Sequence, residues 1–176
     1  RGYLSEQFDQ LLYKYPNIKF IENPAYNEAN NISSAMCVRY LLNNAYVCEG
    51  DILLHNPKII QKYQYKSNYC GIKCDRTDDW CLFENKGRIT GYAVGGENCH
   101  QMMGISYWTE EDGRKLGDCI KKVYEMPGGK ERYWDQVALG YYVEEFDISI
   151  RECSFDDFIE IDTFNELKAI DKIYDV

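Results

Sequence analysis

The first part of the chain alternates apolar and polar positions at helical spacing. The residues that carry this spacing are Leu4, Phe8, Leu11, Leu12 and Tyr15. They predict a helix with Ser5 as its N-cap, and a short strand over 18–21 follows Pro16. A second helix is predicted over about 32–42, because its apolar residues again share one side. These elements begin an alternation of helix and strand.

The middle of the chain is rich in strand patterns. Residues 45–54 read as one buried strand with acids near its end, and Pro57 then opens a short helix. From 67 to 108 the pattern predicts strands, with turns at 85–87 and at Gly95-Gly96. This stretch is expected to form a strand-rich insert.

The last part of the chain returns to helices and strands. A helix is predicted over 109–125, with acids in its first turn that suit the helix dipole, and another near 131–139. Strands are predicted over 143–150 and 158–161, and a closing helix over 164–170. The alternation indicates an α/β fold, and no linker divides the chain, so we expect one domain over 1–176.

Composition excludes several functional classes. The net charge is −9 and no basic cluster is present, which disfavours nucleic acid as a partner. No apolar run approaches the roughly 20 residues of a membrane helix, so membrane insertion is not expected. The eight cysteines are scattered without a C-x-x-C pair, which favours free thiols in a reducing cytoplasm over zinc or disulfides. Nothing in the sequence indicates the oligomeric state.

Two acidic segments are candidates for chemistry. Glu49-Gly50-Asp51 and Glu160-Ile161-Asp162 each follow an apolar strand pattern. Carboxylates at strand ends can hold Mg²⁺ against nucleotide phosphates, so Asp51 and Asp162 could meet at one metal ion. The alternatives are an ordinary acidic turn at 49–51 and a helix cap at Asp162, with Glu166 nearby.

Aromatic residues form the second candidate feature. Three tryptophans and sixteen tyrosines are many for this length, and Asp79-Trp80 and Tyr133-Trp134-Asp135 place acids beside indoles. Aromatic faces and a carboxylate together bind a quaternary ammonium. The alternative is that these aromatic residues only pack the core or the surface.

Six motifs occur along the chain in a characteristic order. They are Asn30-Asn31-Ile32-Ser33-Ser34, Tyr46-Val47-Cys48-Glu49-Gly50-Asp51, Asp79-Trp80, Gly104-Ile105-Ser106-Tyr107-Trp108, Tyr133-Trp134-Asp135 and Glu160-Ile161-Asp162. Their order and rough spacing resemble those of a known family, the bacterial choline-phosphate cytidylyltransferases of the sugar-nucleotidyltransferase-like superfamily. The resemblance extends over the chain from Gly2 onward. Family members begin with a strand and a Gly-rich phosphate loop. This sequence starts after them, so we expect an N-terminally truncated domain that is inactive alone.

The resemblance implies a fold, an activity and roles for residues. The fold would be a nucleotidyltransferase-like mixed sheet with helices on both faces, its first βαβ part missing. The activity would be Mg²⁺-dependent transfer of a cytidylyl group from CTP to phosphocholine. The residues implied are Asp51 and Asp162 for catalysis and the metal, Trp80, Tyr133, Asp135 and Glu160 for the substrate, and Asn31, Ser33 and Ser34 for the nucleotide.

Other functions remain open from the sequence. Phosphoethanolamine or 2-aminoethylphosphonate could replace phosphocholine, although the many aromatic residues favour a trimethylammonium group. A glycosyltransferase could use Glu49-Gly50-Asp51 as a metal motif and release a nucleoside diphosphate. A non-catalytic remnant of the fold could bind a small cation without turnover.

Overall fold

The structure is a computed structural model that describes residues 1–174. Two compact units are present: the first comprises Arg1–Ala45 and Thr109–Phe146, and the second comprises Tyr46–Trp108 and the segment from Asp147 onward. Among the described residues, no helix has the length and apolar character needed to cross a membrane.

Six strands and four α-helices make up the regular structure of residues 1–174. The strands are β1 (Ala45–Cys48), β2 (Ile52–Leu54), β3 (Asn68–Asn85), β4 (Arg88–Trp108), β5 (Ser149–Glu152) and β6 (Phe158–Glu160). The α-helices are α1 (Leu11–Lys14), α2 (Ile32–Val38), α3 (Glu110–Glu125) and α4 (Phe164–Ile170). Short 3₁₀ turns cover Ser5–Phe8, Arg39–Leu41, Pro57–Ile59, Gly129–Glu131, Val143–Glu145 and Lys172–Tyr174, and a π-helical turn covers Val137–Tyr141.

A mixed four-stranded sheet of order β1-β4-β3-β5 is the centre of the second unit. β3 and β4 form a long antiparallel hairpin, and β5 runs parallel to the start of β3. The hairpin curls, because Cys81 is paired with both Ala93 and Gln101. Two segments of β4 therefore flank β3 at this point, and a shift in register between Tyr69 and Gly71 adds an irregularity of the kind that bends a strand. The mixed sheet and the helices confirm the α/β fold that the sequence predicts.

The core of the second unit joins this sheet to a smaller one. β2 and β6 form a two-stranded antiparallel sheet. Phe158 of β6 is fully buried. It packs against core residues of the larger sheet and against Ile59 of the 3₁₀ turn that precedes β3. The buried cluster consists of Ile59, Cys70, Ile72, Met103, Ile105 and Phe158. Burial of side chains of this size stabilises the fold by roughly 2 kcal/mol each.

Helix α3 organises the first unit and begins where the sequence predicts. The Thr109 hydroxyl accepts a hydrogen bond from the Asp112 N–H at 3.2 Å and so caps the helix. Gly113 and Gly117 lie one turn apart, where the segment before β1 packs on the helix. A Cβ on Gly113 would come within 2.4 Å of the Leu42 carbonyl oxygen, and one on Gly117 within 2.5 Å of the Arg39 oxygen. Glycine therefore permits close packing at both positions.

The structure corrects the predictions for the N-terminal segment. A 3₁₀ turn and the four-residue helix α1 replace the single predicted helix, and Leu4 instead of Ser5 occupies the N-cap position. Residues 18–21 form no strand. Neither short helix buries a side chain. Helices of this length need a buried apolar face, so the periodicity alone does not produce a continuous helix.

Other boundaries also differ from the prediction. The strand predicted over 45–54 is divided at 49–51 into β1 and β2, which belong to different sheets. Gly95-Gly96 is not a turn but lies inside β4, with Gly95 at a φ of 76°. The helix predicted over 131–139 is a 3₁₀ turn followed by a π-helical turn, and the strand over 143–150 begins only at Ser149. Strand β6 and helix α4 confirm their predictions.

Candidate active site

The antiparallel pair β2–β6 brings the two acidic segments together. Ile52 lies opposite Glu160 in the register, and the Ile161 N–H donates to the Asp51 carbonyl oxygen at 2.9 Å. Residues far apart in the sequence thus become neighbours through backbone hydrogen bonds. Because the strand is interrupted at 49–51, β2 leaves the larger sheet and pairs with β6.

Three carboxylates converge at this point. Glu49, Asp51 and Glu160 each offer an oxygen, and these oxygens all lie within 4.8 Å of one another. Glu49 and Glu160 are half-buried and Asp51 is exposed. Burial, followed by the negative charges of Asp162, Asp51, Glu49 and Asp79, raises the pKa of Glu160 to about 7. The cluster therefore concentrates negative charge in a partly desolvated place.

The donor set of this cluster suits a hard divalent cation. Mg²⁺ is bound in proteins by one or two carboxylates together with phosphate oxygens and water. The three side chains supply only oxygen, and the Glu49 carboxylate lies in a space that a Cβ on Gly104 would fill. The residues present therefore fit Mg²⁺ and could hold it beside a nucleotide.

Asp162, the second predicted metal ligand, lies outside this group of three. Its side chain is exposed, two residues beyond Glu160, and its N–H donates to a Glu166 carboxylate oxygen at 2.9 Å. Thr163, not Asp162, caps α4, through a capping box with Glu166. The charge of Asp162 still reaches Glu160, since it contributes to the raised pKa of that carboxyl.

Trp80 and Asp79 lie in the same unit as the acidic cluster. The Trp80 ring stacks on Tyr92, with centroids 5.3 Å apart and an interplanar angle of 16°. One Asp79 oxygen accepts from the Trp80 N–H at 2.6 Å, and the other accepts from the Gln101 amide at 3.3 Å. The Asp79 charge contributes to the raised pKa of Glu160, so an aromatic pair and several carboxylates share one region.

Tyr133 and Asp135 belong to the first unit. Asp135 is buried and Tyr133 is partly exposed. The Trp134 N–H between them donates to the Asn31 side-chain oxygen at 2.9 Å. Two segments that the sequence analysis selected for different ligands are therefore joined by a hydrogen bond.

The serines predicted to bind the nucleotide take part in a polar network of the first unit. The Asn23 amide nitrogen donates to the hydroxyls of Ser33 at 2.9 Å and Ser34 at 3.1 Å. The Ser33 hydroxyl donates in turn to the Asn30 carbonyl oxygen at 2.8 Å. Asn23 and Ser33 are buried, whereas Ser34 is exposed.

Four residues of these regions were given no individual role from the sequence, although Glu49 and Gly104 lie within the motifs quoted above: Glu49, Gly104, Tyr92 and Asn23. A signal existed for Glu49, since it stands two residues before Asp51 in an acid-x-acid segment. Tyr92 and Gly104 depend on which strands pair and in which register, and local patterns do not carry that information.

Comparison with known proteins identifies the relatives of the chain. No protein-family model matches it. It is 32% identical to the 2-aminoethylphosphonate cytidylyltransferase of Lancefieldella rimae, over 98% of this chain and 72% of that protein. It is 27% identical to the choline-phosphate cytidylyltransferase of Haemophilus influenzae, over 96% and 73%.

A solved structure agrees with these relatives. The CTP:phosphocholine cytidylyltransferase of Streptococcus pneumoniae superposes with a TM-score of 0.85 at 26% identity, over 98% of this chain and 75% of that one. The mixed sheet, the acidic cluster and the sequence similarity over nearly the whole length lead to one conclusion. The chain belongs to the bacterial cytidylyltransferases, a family of nucleotidyltransferase enzymes that includes 2-aminoethylphosphonate and choline-phosphate cytidylyltransferases.

Proposed function

We propose that the protein transfers, in the cytoplasm, the cytidylyl group of CTP to phosphocholine, producing CDP-choline and pyrophosphate with Mg²⁺ as cofactor. The observation that carries this proposal is the convergence of Glu49, Asp51 and Glu160 in the unit that also holds Asp79 and Trp80. Carboxylates suit the metal of a nucleotide triphosphate, and an indole beside acids suits a quaternary ammonium.

The reaction needs little covalent chemistry from the protein. A phosphate oxygen of phosphocholine forms a bond to the α-phosphorus of CTP, and the bond from that phosphorus to the leaving pyrophosphate breaks. The attacking phosphate is already ionised, so no side chain has to remove a proton. The side chains contribute by positioning two anions and by stabilising the charge that develops between them.

Asp51 and Asp162 are the proposed metal ligands, and Glu160 lies beside Asp51. Bound Mg²⁺ would neutralise charge on the reacting phosphates. Trp80 would attract the trimethylammonium group through its ring face, with Asp79 and Glu160 supplying negative charge. The roles of Tyr133 and Asp135 in substrate binding, and of Asn31, Ser33 and Ser34 in CTP binding, stay predictions.

A second acceptor is favoured by a specific observation, the 32% identity to a 2-aminoethylphosphonate cytidylyltransferase. A primary ammonium donates three hydrogen bonds and needs acceptors more than aromatic faces. The carboxylates of Asp79 and Glu160 would serve as such acceptors. The two candidates therefore differ in how much they depend on Trp80.

Pyrophosphate release from CTP, measured with the full-length protein and Mg²⁺, separates the candidates. We expect kcat/KM for phosphocholine to exceed those for phosphoethanolamine and 2-aminoethylphosphonate by about tenfold or more, the value of a cation–π contact. The reverse order would assign 2-aminoethylphosphonate as the acceptor. Absence of pyrophosphate with all three would refute cytidylyl transfer to these acceptors.

A further inference from the structure

Gly104 has an unusually close neighbour, the side chain of Glu49. The Glu49 N–H donates to the Gly104 carbonyl oxygen at 2.8 Å, which sets the two residues side by side on adjacent backbone segments. A Cβ built on Gly104 would lie 2.1 Å from the Glu49 Oε2 and 2.6 Å from its Cδ. The carboxylate therefore occupies the space that any other residue at this position would need.

Space, not backbone conformation, is the reason for a glycine here. Gly104 is not among the residues with positive φ, so its backbone is accessible to other amino acids. It lies in β4 between Met103 and Ile105, which face the buried core cluster, so position 104 faces the opposite side of the sheet. Gly91 on the same strand has open space around its Cα instead.

The position that Glu49 occupies places its negative charge beside two others. Its carboxylate oxygen lies within 4.8 Å of oxygens of Asp51 and Glu160, and like charges at such a distance repel each other. Side chains of this length can turn toward solvent at little cost. A half-buried carboxylate held toward two others suits a ligand that is positively charged.

We propose that Glu49 is a third oxygen ligand of the cation site, and that Gly104 is a positioning residue that leaves room for its carboxylate. This inference rests on the proposed function, because it assigns residues to the metal of that reaction. Gly104 would act only through Glu49. A larger residue at 104 would turn the carboxylate away and leave Asp51 and Glu160 in place.

The test measures Mn²⁺ binding to the full-length protein from the loss of the free-ion EPR signal. We expect Gly104→Ala and Glu49→Gln each to weaken Mn²⁺ affinity by about tenfold or more, as is typical when support of a metal site is lost. Gly91→Ala is the matched control and should bind like wild type. The clash falls on the far end of a flexible side chain, so Gly104→Ala should still fold.

A double variant distinguishes positioning from general damage to the strand. Glu49→Ala removes the side chain that the new methyl group would meet. Adding Gly104→Ala to it should change the Mn²⁺ affinity less than twofold, although the same substitution alone weakens binding. An additive loss would show that Gly104 acts through the strand and would contradict the positioning role.

Two outcomes separate this inference from the proposed function. If Glu49→Gln binds Mn²⁺ like wild type while the wild type still releases pyrophosphate from CTP, the third ligand is refuted and the function stands. Glu49→Gln decides this even if Gly104→Ala does not fold. If the wild type shows no turnover, the function fails, and the Mn²⁺ series still decides whether Glu49 is a ligand.

Discussion

Two polar clusters of the molecule are organised in opposite ways. In the first unit, the Asn23 amide donates to the hydroxyls of Ser33 and Ser34, and the Ser33 hydroxyl donates to the Asn30 carbonyl oxygen, all within about 3 Å. In the second unit, Glu49 and its two partner carboxylates place acceptors of the same charge side by side. The polar groups of the first cluster hydrogen-bond to one another, whereas the second cluster concentrates charge of one sign.

This difference in hydrogen bonding and charge indicates that the first cluster has a structural role and the second a functional one. A buried network whose donors and acceptors are matched stabilises the fold, and breaking it costs stability. In the acidic cluster, burial and the neighbouring carboxylates raise the pKa of Glu160 to about 7, and this concentration of negative charge suits a bound cation. Substitutions in the acidic cluster should therefore affect catalysis first, and those in the network should affect stability first.

The largest effect is expected from Asp51→Asn. Loss of a metal-binding carboxylate should lower kcat by at least about a thousandfold, because charge developing on the phosphates is no longer neutralised. Pyrophosphate release with saturating CTP measures it. Asp78→Asn is the control, since its side chain is 93% exposed and only faces Arg76 at 3.6 Å. Activity retained by Asp51→Asn would remove Asp51 from the metal site.

Asn23→Ala tests the opposite cluster. Loss of the side-chain amide removes its hydrogen bonds to the Ser33 and Ser34 hydroxyls and the one that its oxygen accepts from the Ala25 N–H at 3.0 Å. It leaves the buried Ser33 hydroxyl without this donor, which should cost about 2 kcal/mol of unfolding free energy. Thermal or urea unfolding measures the loss, with the exposed Asn17→Ala as control. Unchanged stability together with weaker CTP binding would show that this network is a ligand site.

Trp80→Ala separates substrate binding from metal binding within the second unit. The KM for phosphocholine should rise about tenfold through loss of the cation–π contact, while the KM for CTP stays unchanged. The control is Tyr63→Ala, an exposed aromatic residue of the same unit. An equal rise in both KM values would mean that Trp80 supports the whole site and does not recognise the ammonium group.

Glu160→Gln should have the smallest effect, and its sign depends on pH. The folded pKa of Glu160 is raised from 4.5 to about 7, so the folded protein holds this proton more tightly than the unfolded chain does. Stability of the wild type is therefore lost as pH rises through this range. In EDTA at pH 8 the variant should be more stable by about 1 kcal/mol, a figure reduced for the partial exposure of the carboxyl.

Thermal unfolding at pH 4 and pH 8 checks this expectation. The advantage of Glu160→Gln should disappear at pH 4, where the wild-type carboxyl is protonated in both states. The exposed Glu28→Gln should match the wild type at both values. A variant that is less stable at pH 8 would show that the Glu160 charge is compensated in the folded protein without a cation.

Features that are encoded locally were predicted best. Helices α3 and α4 were predicted at their observed positions, because helical periodicity acts within one or two turns, whereas the suggested caps Ser5 and Asp162 were wrong. The prediction of one continuous helix from Leu4 was wrong, although its apolar residues recur at helical spacing. The difference is burial, since α3 packs its apolar side in the first unit and the two N-terminal turns bury no side chain.

The sequence by itself determined the α/β composition of the fold, the positions of helices α3 and α4, and the two acidic segments that carry the proposed chemistry. Only the tertiary structure decided that Asp51 meets Glu160, that Glu49 joins them beside Gly104, and that Trp80 stacks on Tyr92. The physical reason is strand register. Which residues face each other across two strands depends on backbone hydrogen bonds to a distant segment, and no pattern within either strand contains that information.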